Sequence, residues 1–143
     1  MAHYITQECT GCTACTAVCP AQAIRGDKKR VHHIEEALCI DCGACGRVCP
    51  ANSVADAFGT PVSRLPRKKW PKPQFDMAPC ISCGICIETC PTQAISTDLM
   101  VVRDRRAYPF PEDEKACIAC GFCVDDCPVD AVELVPAPAK TRA

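Results

Sequence analysis

The stretch that decides the fold is Cys9-Thr10-Gly11-Cys12-Thr13-Ala14-Cys15-Thr16-Ala17-Val18-Cys19-Pro20, with the spacing C-x2-C-x2-C-x3-C-P. The same spacing occurs three more times in the chain, in runs that begin at Cys39, Cys80 and Cys117. The four runs contain all 16 cysteines of the 143 residues. No cysteine is therefore left for a nucleophile, a redox pair or a disulfide outside the repeat.

This spacing is typical of cysteines that bind [4Fe–4S] clusters, where the fourth cysteine of a run serves a different cluster from the first three. Three cysteines two residues apart can wrap one cubane as a tight loop, and the fourth lies about one helical turn further along. The proline that follows has a fixed φ and no N–H, which suits a turn away from the cluster. We predict four [4Fe–4S] clusters and no catalytic residue. The predicted metal ligands are Cys9, Cys12, Cys15, Cys19, Cys39, Cys42, Cys45, Cys49, Cys80, Cys83, Cys86, Cys90, Cys117, Cys120, Cys123 and Cys127.

The position of glycine separates the first run from the other three. Gly43, Gly84 and Gly121 follow the second cysteine of their runs, whereas Gly11 precedes Cys12. Small residues let a loop approach a cluster and aim backbone N–H groups at its sulfurs. We therefore expect a different hydrogen-bond shell around the first cluster.

The repeat divides the chain into two very small domains. We predict a first module at residues 1–58, a linker at 59–74, a second module at 75–135 and a disordered tail at 136–143. A module of about sixty to seventy residues can bury little apolar surface without a staple. We expect the clusters to act as the core, so that the protein without iron is largely unfolded.

The Cys-Pro runs, and the 30 residues between the starts of the first two, resemble those of bacterial two-cluster ferredoxins. The resemblance implies an α+β fold of two tandem ferredoxin-like modules, each with two short hairpins and two short helices around two clusters. It also implies that the two runs of a module share their clusters. The implied ligand sets are Cys9, Cys12, Cys15 and Cys49; Cys39, Cys42, Cys45 and Cys19; Cys80, Cys83, Cys86 and Cys127; and Cys117, Cys120, Cys123 and Cys90. A nested pairing, of run one with run four and run two with run three, is the alternative.

Short elements are predicted around the runs. In the first module we predict strands at residues 3–6 and around 29–34. In the second module we predict a strand at residues 99–102, a charged turn at 103–106 and an irregular loop at 108–111.

The linker is rich in proline and in basic residues, and it holds Trp70, the single tryptophan. Its prolines forbid a helix and favour an extended segment. One interpretation is a solvated linker. The other is a strap that lies across the cluster-bearing surface or a partner, with Trp70 as its anchor.

Two adjacent histidines, His32 and His33, fall on a predicted strand. Adjacent residues of a strand point to opposite faces. We interpret both side chains as exposed, with tuning of a cluster potential or a proton relay as the alternative.

The formal charge of −1 counts the cysteines as neutral thiols. Sixteen thiolates and four oxidised cores of about +2 each would bring the loaded protein to roughly −9. Such a charge favours basic docking surfaces on redox partners and disfavours nucleic acid. The sequence shows neither a run of 18 apolar residues nor a secretory signal, so we expect no membrane span and a cytoplasmic location.

These features indicate electron transfer rather than an enzyme, since no motif for binding or transforming an organic substrate is present. The first hypothesis is the electron-relay subunit of a larger cytoplasmic oxidoreductase of anaerobic metabolism. Families with similar subunits include tungsten or molybdenum aldehyde and formate enzymes, hydrogenases and flavin-based complexes. The partners would be a larger catalytic subunit and a flavoprotein, and such units could stack into longer assemblies.

Three other functions stay open. A freely diffusing polyferredoxin would use the same four clusters to carry electrons between enzymes. Two minor alternatives are an iron–sulfur redox sensor and a structural zinc protein. A zinc site needs two cysteine pairs, and it has no use for a third cysteine two residues on or for the Cys-Pro step.

Overall fold

The computed structural model describes residues 1–97 and 107–137. The chain divides into two compact units, Met1–Lys69 and Trp70–Ala143, and each unit contains two of the four cysteine runs. The strand predicted at residues 99–102 and the turn predicted at 103–106 lie outside the described residues. The same holds for the predicted tail from residue 138 onward.

The first unit is built from short strands and short helices. Its elements are β1 (Tyr4–Ile5), α1 (Ala14–Val18), β2 (Ile24–Arg25), β3 (His33–Ile34), α2 (Ala44–Val48) and β4 (Val54–Ala55), followed by a 3₁₀ turn at Arg67–Lys69. Strand β1 pairs antiparallel with β4, and β2 pairs antiparallel with β3. The two strands predicted for this module thus exist, although each is shorter than predicted.

The second unit repeats the first element by element. It contains β5 (Lys72–Phe75), α3 (Ile85–Glu88), β6 (Ile95–Thr97), β7 (Pro109–Pro111), α4 (Phe122–Asp125) and β8 (Val132–Val135). Strand β5 pairs antiparallel with β8, and β6 pairs antiparallel with β7. Two repeated halves of short helices and antiparallel pairs confirm the predicted α+β class.

The prediction of an irregular loop at residues 108–111 was wrong, because Pro109–Pro111 form β7. An antiparallel ladder needs an N–H only at alternate residues, so prolines are tolerated at the positions between. Pro109 lies opposite Thr97 and Pro111 opposite Ile95. Beyond them, the Glu112 N–H donates to the Ala94 carbonyl at 3.0 Å and continues the ladder.

Cysteine side chains occupy the centre of both units. In the first unit the buried cluster of side chains consists of Cys15, Cys45, Cys49, Ile24 and Val54. In the second unit it consists of Cys86, Cys123, Ile95 and Val132. In the described part of the chain, cysteines therefore make up at least half of each of these two buried clusters.

Residues 60–65 are attached to the first unit and form an ordered strap. The Val62 N–H donates to the Val54 carbonyl and the Leu65 N–H to the Arg47 carbonyl, each at 2.9 Å. The strap lies so close to α2 that a Cβ added at Gly46 would come within 2.3 Å of Val62 Cβ. These residues are therefore hydrogen-bonded to the first unit, while Pro61, Ser63 and Arg64 remain exposed to solvent.

Trp70 is fully buried, at 0% exposure. Its ring is thus part of the interior of its own chain, as an anchor on this chain requires, and it is not accessible to a partner. The exposed basic residues of the linker are Arg64 and the three residues of the 3₁₀ turn that precedes Trp70, Arg67–Lys69.

Replacing Trp70 is expected to destabilise the protein strongly. Truncation of a buried large aromatic side chain to alanine lowers the free energy of unfolding by about 3–5 kcal/mol. Phe58 is a matched control because it is aromatic but 78% exposed, and Phe58→Ala should change that free energy by less than about 0.5 kcal/mol. Denaturant unfolding of the loaded protein under anaerobic conditions measures both values. Equal losses in the two variants would contradict the burial of Trp70.

Candidate metal centres

Each cysteine run folds into a tight loop followed by a short helix. In every run the two residues that flank the second cysteine have positive φ; they are Gly11 and Thr13, Asp41 and Gly43, Ser82 and Gly84, and Ala119 and Gly121. This backbone conformation curls the loop, so that the first three cysteines line one cavity. The third cysteine lies within the helix, and the fourth lies one residue beyond its end in the first two runs and two residues beyond it in the last two.

Four cavities are each lined by four cysteines. Three come from one run and the fourth is the last cysteine of the other run in the same unit. We call them the first centre (Cys9, Cys12, Cys15, Cys49), the second centre (Cys19, Cys39, Cys42, Cys45), the third centre (Cys80, Cys83, Cys86, Cys127) and the fourth centre (Cys90, Cys117, Cys120, Cys123). Among the described residues, all 16 predicted ligands thus fall into four groups of four.

The fourth cysteine of every run accepts a hydrogen bond from the backbone N–H four residues later. The bonds are Ala23 to Cys19 (3.3 Å), Ser53 to Cys49 (3.4 Å), Ala94 to Cys90 (3.3 Å) and Ala131 to Cys127 (3.2 Å). The residue before each donor has φ between 50° and 53°, which turns the chain back toward the sulfur. Sequence reasoning missed these donors, although a small residue four positions after the last cysteine in all four runs was a visible signal.

Gly11 is packed against the backbone of another loop, at Lys29 and Arg30. The Lys29 N–H donates to the Gly11 carbonyl at 2.9 Å, and a Cβ at Gly11 would lie 2.4 Å from the backbone nitrogen of Arg30. The Gly11 N–H in turn donates to Cys9 Sγ at 3.4 Å. Backbone packing thus excludes any side chain here and leaves an N–H directed at a sulfur of the first centre.

Burial raises the pKa of the cysteines that lie on the helices. The pKa of Cys15 rises to about 11, and those of Cys45 and Cys123 rise to about 12, because desolvation disfavours the thiolate. Repulsion from neighbouring thiolates of the same centre adds to the effect. At neutral pH these sulfurs can be thiolates only beside a strongly bound cation, and the ferric and ferrous ions of a cluster supply that charge.

His32 supplies a separate test of whether the first centre fits a cluster. The side chain is 1% exposed and lines the cavity of the first centre. Its Nδ1 lies 3.0 Å from the Arg30 carbonyl oxygen, so Nδ1–H donates there. Its Nε2 is buried without a hydrogen-bond partner in the described part of the chain. Cluster sulfurs accept hydrogen bonds, so a cluster in this cavity would be a partner for that nitrogen only if Nε2 carries a proton together with Nδ1.

The interpretation of both adjacent histidines as exposed was wrong for His32. The expected alternation of faces is present, since His33 is exposed while His32 is buried. The loop that covers Gly11 also brings His32 onto the first centre, and no periodicity in the sequence shows that contact.

Two cysteines of the centres are exposed to solvent, Cys12 of the first centre and Cys83 of the third. Each half of the chain therefore has a centre with an exposed cysteine. Electron exchange with another protein requires a centre close to the surface, because tunnelling rates fall steeply with distance.

Residues 1–97 and 107–137 contain neither a site for a single metal ion nor a membrane-spanning helix. No group of three or more His, Cys, Asp or Glu side chains has the geometry to hold a single metal ion. No helix in this part of the chain is long and apolar enough to cross a membrane.

Comparison with known families gives two matches of the same description. A model of a 4Fe-4S dicluster domain matches residues 2–56 and again residues 74–134. A second model of a 4Fe-4S dicluster domain matches residues 38–94. A comparison with curated protein sequences gave no match.

A solved structure also resembles the chain. It belongs to the formate dehydrogenase, heterodisulfide reductase and formylmethanofuran dehydrogenase complex from Methanospirillum hungatei, with 25% sequence identity and a TM-score of 0.39. The alignment covers 89% of this chain and 52% of that one. The chain therefore spans about half the length of the protein that it matches.

Proposed function

The chain belongs to the 4Fe-4S dicluster domain family, with one domain in each half, and we propose that it is the electron-relay subunit of a larger oxidoreductase. Two dicluster domains with 16 cysteines correspond to four [4Fe–4S] clusters, and such domains transfer electrons. The chain's own contribution is to hold the clusters in place and to set their potentials by hydrogen bonds and burial.

The observation that carries the proposal is the composition of the four cavities. The ligand sets that we propose are the four centres, each with three cysteines of one run and the last cysteine of the other run in the same unit. Cys49 of the second run, for example, lies on the cavity of Cys9, Cys12 and Cys15. This arrangement supports the tandem pairing over the nested one.

The exposed cysteines support a relay rather than a store of electrons. Cys12 and Cys83 give each half one centre that a donor or an acceptor can approach. We propose a larger catalytic subunit, of the tungsten, molybdenum or hydrogenase type, and a flavoprotein as the redox partners. The exposed basic turn Arg67–Lys69 is the candidate contact with an acidic partner surface. A reducing cytoplasm suits sixteen cysteines that all serve as ligands.

Anaerobic affinity purification from the native host tests this function. We expect about 16 iron and about 16 acid-labile sulfide per chain, together with a large subunit in fixed ratio and its molybdenum, tungsten or flavin. Replacing Arg67, Lys68 and Lys69 together by alanine should reduce the co-purified subunit while iron stays unchanged. A matched variant, Lys28→Ala with Lys29→Ala, should leave the large subunit bound.

The possible results separate the hypotheses. Full iron without any companion would favour the freely diffusing carrier over the subunit. Zinc without sulfide would contradict the cluster assignment altogether.

A further inference from the structure

One position beside each centre differs between the halves. The four repeats can be aligned by a shared backbone hydrogen bond, in which the N–H groups of Thr6, Glu35, Asp76 and Glu112 donate to the carbonyls of Ser53, Ala23, Ala131 and Ala94. Three residues before these donors the chain carries His3, His32, Pro73 and Pro109. His32 lines the first centre, His3 the second, Pro109 the third and Pro73 the fourth. The first half thus places an imidazole where the second half places an apolar ring.

Both imidazoles are held by Nδ1. His32 Nδ1 donates to the Arg30 carbonyl, and His3 Nδ1 lies 2.6 Å from Asp41 Oδ1. His3 Nε2 lies beside the loop of its centre, since a Cβ at Gly43 would be 3.6 Å from it. In both residues Nε2 is therefore the nitrogen left for the cluster. An imidazole thus presents a polar nitrogen to the cluster, and a proline ring has none.

Ser53 adds a hydroxyl donor to the first centre. Its Oγ lies 3.2 Å from Cys49 Sγ, in addition to the bond from its own N–H, and the side chain is 1% exposed. A ligand thiolate has no proton, so in a loaded centre the hydroxyl donates and the sulfur accepts. The other three runs have alanine at this position, at residues 23, 94 and 131. In the second half the nearest counterpart is Thr92, whose Oγ1 lies 3.7 Å from Cys90 Sγ.

The first half, which has the polar side chains beside its centres, also has the more positive formal charge. Residues 1–69 contain nine Lys and Arg and six Asp and Glu, a formal charge of +3, together with all three histidines. Residues 70–143 contain seven Lys and Arg and eleven Asp and Glu, a formal charge of −4. Positive surroundings favour the more negative, reduced state of a cluster, and negative surroundings disfavour it.

We propose that the first half holds the two clusters of higher potential and that the first centre has the highest potential of the four. This rests on the proposed four-cluster function. Hydrogen bonds to cluster sulfurs and nearby positive charge raise the reduction potential, and the first centre has His32, Ser53 and the Gly11 N–H around it. Each reduction adds one electron to one cluster and makes or breaks no covalent bond. Electrons that enter the chain therefore collect in the first centre, beside the exposed Cys12.

An anaerobic redox titration followed by electron paramagnetic resonance tests the order. Ser53→Ala gives the first centre the alanine that the other three runs have at this position, and it should make the highest-potential cluster about tenfold harder to reduce. For a one-electron couple that factor is about 59 mV. Ala131→Ser is the converse change at Cys127, and it should raise the potential of one low-potential cluster by a similar factor. Ala131 is 3% exposed and its N–H already donates to Cys127 Sγ.

His32→Leu and His33→Leu form a second, matched pair. The first removes the buried ring at the first centre and should lower the same potential that Ser53→Ala lowers, while the second changes an exposed neighbour and should leave all four potentials unchanged. A shift of a low-potential signal in Ser53→Ala, or no shift in either variant of the first centre, would overturn the proposal. Iron and sulfide of each variant are measured in parallel, since about 16 of each supports four clusters whatever their order. A loss of sulfide in the unmodified protein would instead contradict the proposed function itself.

Discussion

Replacing Cys12 and Cys49 together by serine is expected to remove one cluster, so that iron falls from about 16 to about 12 per chain. The two residues are 37 positions apart and belong to different runs, but both line the first centre. A cubane that loses two of its four thiolates has half of its protein ligands left and is not retained. The other three centres keep all their cysteines, so iron, sulfide and the visible absorption of the clusters should each fall by about a quarter.

The matched control replaces Cys12 and Cys19, which are in the same run but line different centres. This change damages two clusters at once, so iron should fall below the value for Cys12 with Cys49. The opposite ranking would mean that each run binds a cluster of its own and would contradict the four centres. Equal losses in the two variants would support the nested pairing, in which the last ligand of the first run's cluster is Cys127.

The four clusters and the fold class could be predicted because the spacing of cysteines that bind an iron–sulfur cluster is a local pattern. A loop of three cysteines, with two residues between each and the next, can bind one cubane. The fourth cysteine follows a helix of four or five residues. Each of these requirements is satisfied within about eleven residues of chain, so a spacing pattern is enough to detect it.

Features that depend on contacts between distant segments could not be predicted in this way. Pro109 and Pro111 argue against a strand until their partner β6 is known, since only the ladder shows which positions need no N–H. Trp70 lies in a stretch of prolines and lysines whose composition predicts an exposed segment, yet the Trp70 side chain is fully buried. The strap at residues 60–65 is held by hydrogen bonds to carbonyls of α2 and β4. No pattern within residues 60–65 predicts these bonds.

Among the groups around the centres, some follow a local sequence pattern and others depend on contacts between distant segments. The backbone donors to the last cysteines lie four residues further on and follow a pattern that a reader of the sequence could have noticed. His32 reaches the first centre from a loop about twenty residues away in sequence, and its role depends on the cover that Lys29 and Arg30 form over Gly11. The cysteine runs are therefore local in sequence, whereas the other side chains that line each centre come from tertiary contacts.

Removing the iron is expected to unfold both halves. Helices of four or five residues and two-stranded sheets have little stability of their own, and the centres of the two cores are cysteines. Without iron, the buried sulfurs of Cys45 and Cys123 become neutral thiols around cavities, because burial raises the pKa of each to about 12. We expect a chelator under mildly oxidising conditions to abolish the helical circular dichroism together with the visible absorption of the clusters.

Trp70 reports the same event from inside the chain, since it is the single tryptophan and is fully buried. Its emission should move to longer wavelength as iron leaves, and rebuilding the clusters with iron and sulfide under reducing conditions should reverse the change. Zinc without sulfide is the control, because a cavity built for a cubane should not close on single ions. Buried tryptophan emission and an unchanged thermal transition after complete loss of iron would show that the polypeptide alone holds the fold. In that case the fold would not depend on the clusters, and the small apolar cores of the two halves would be sufficient to stabilise it.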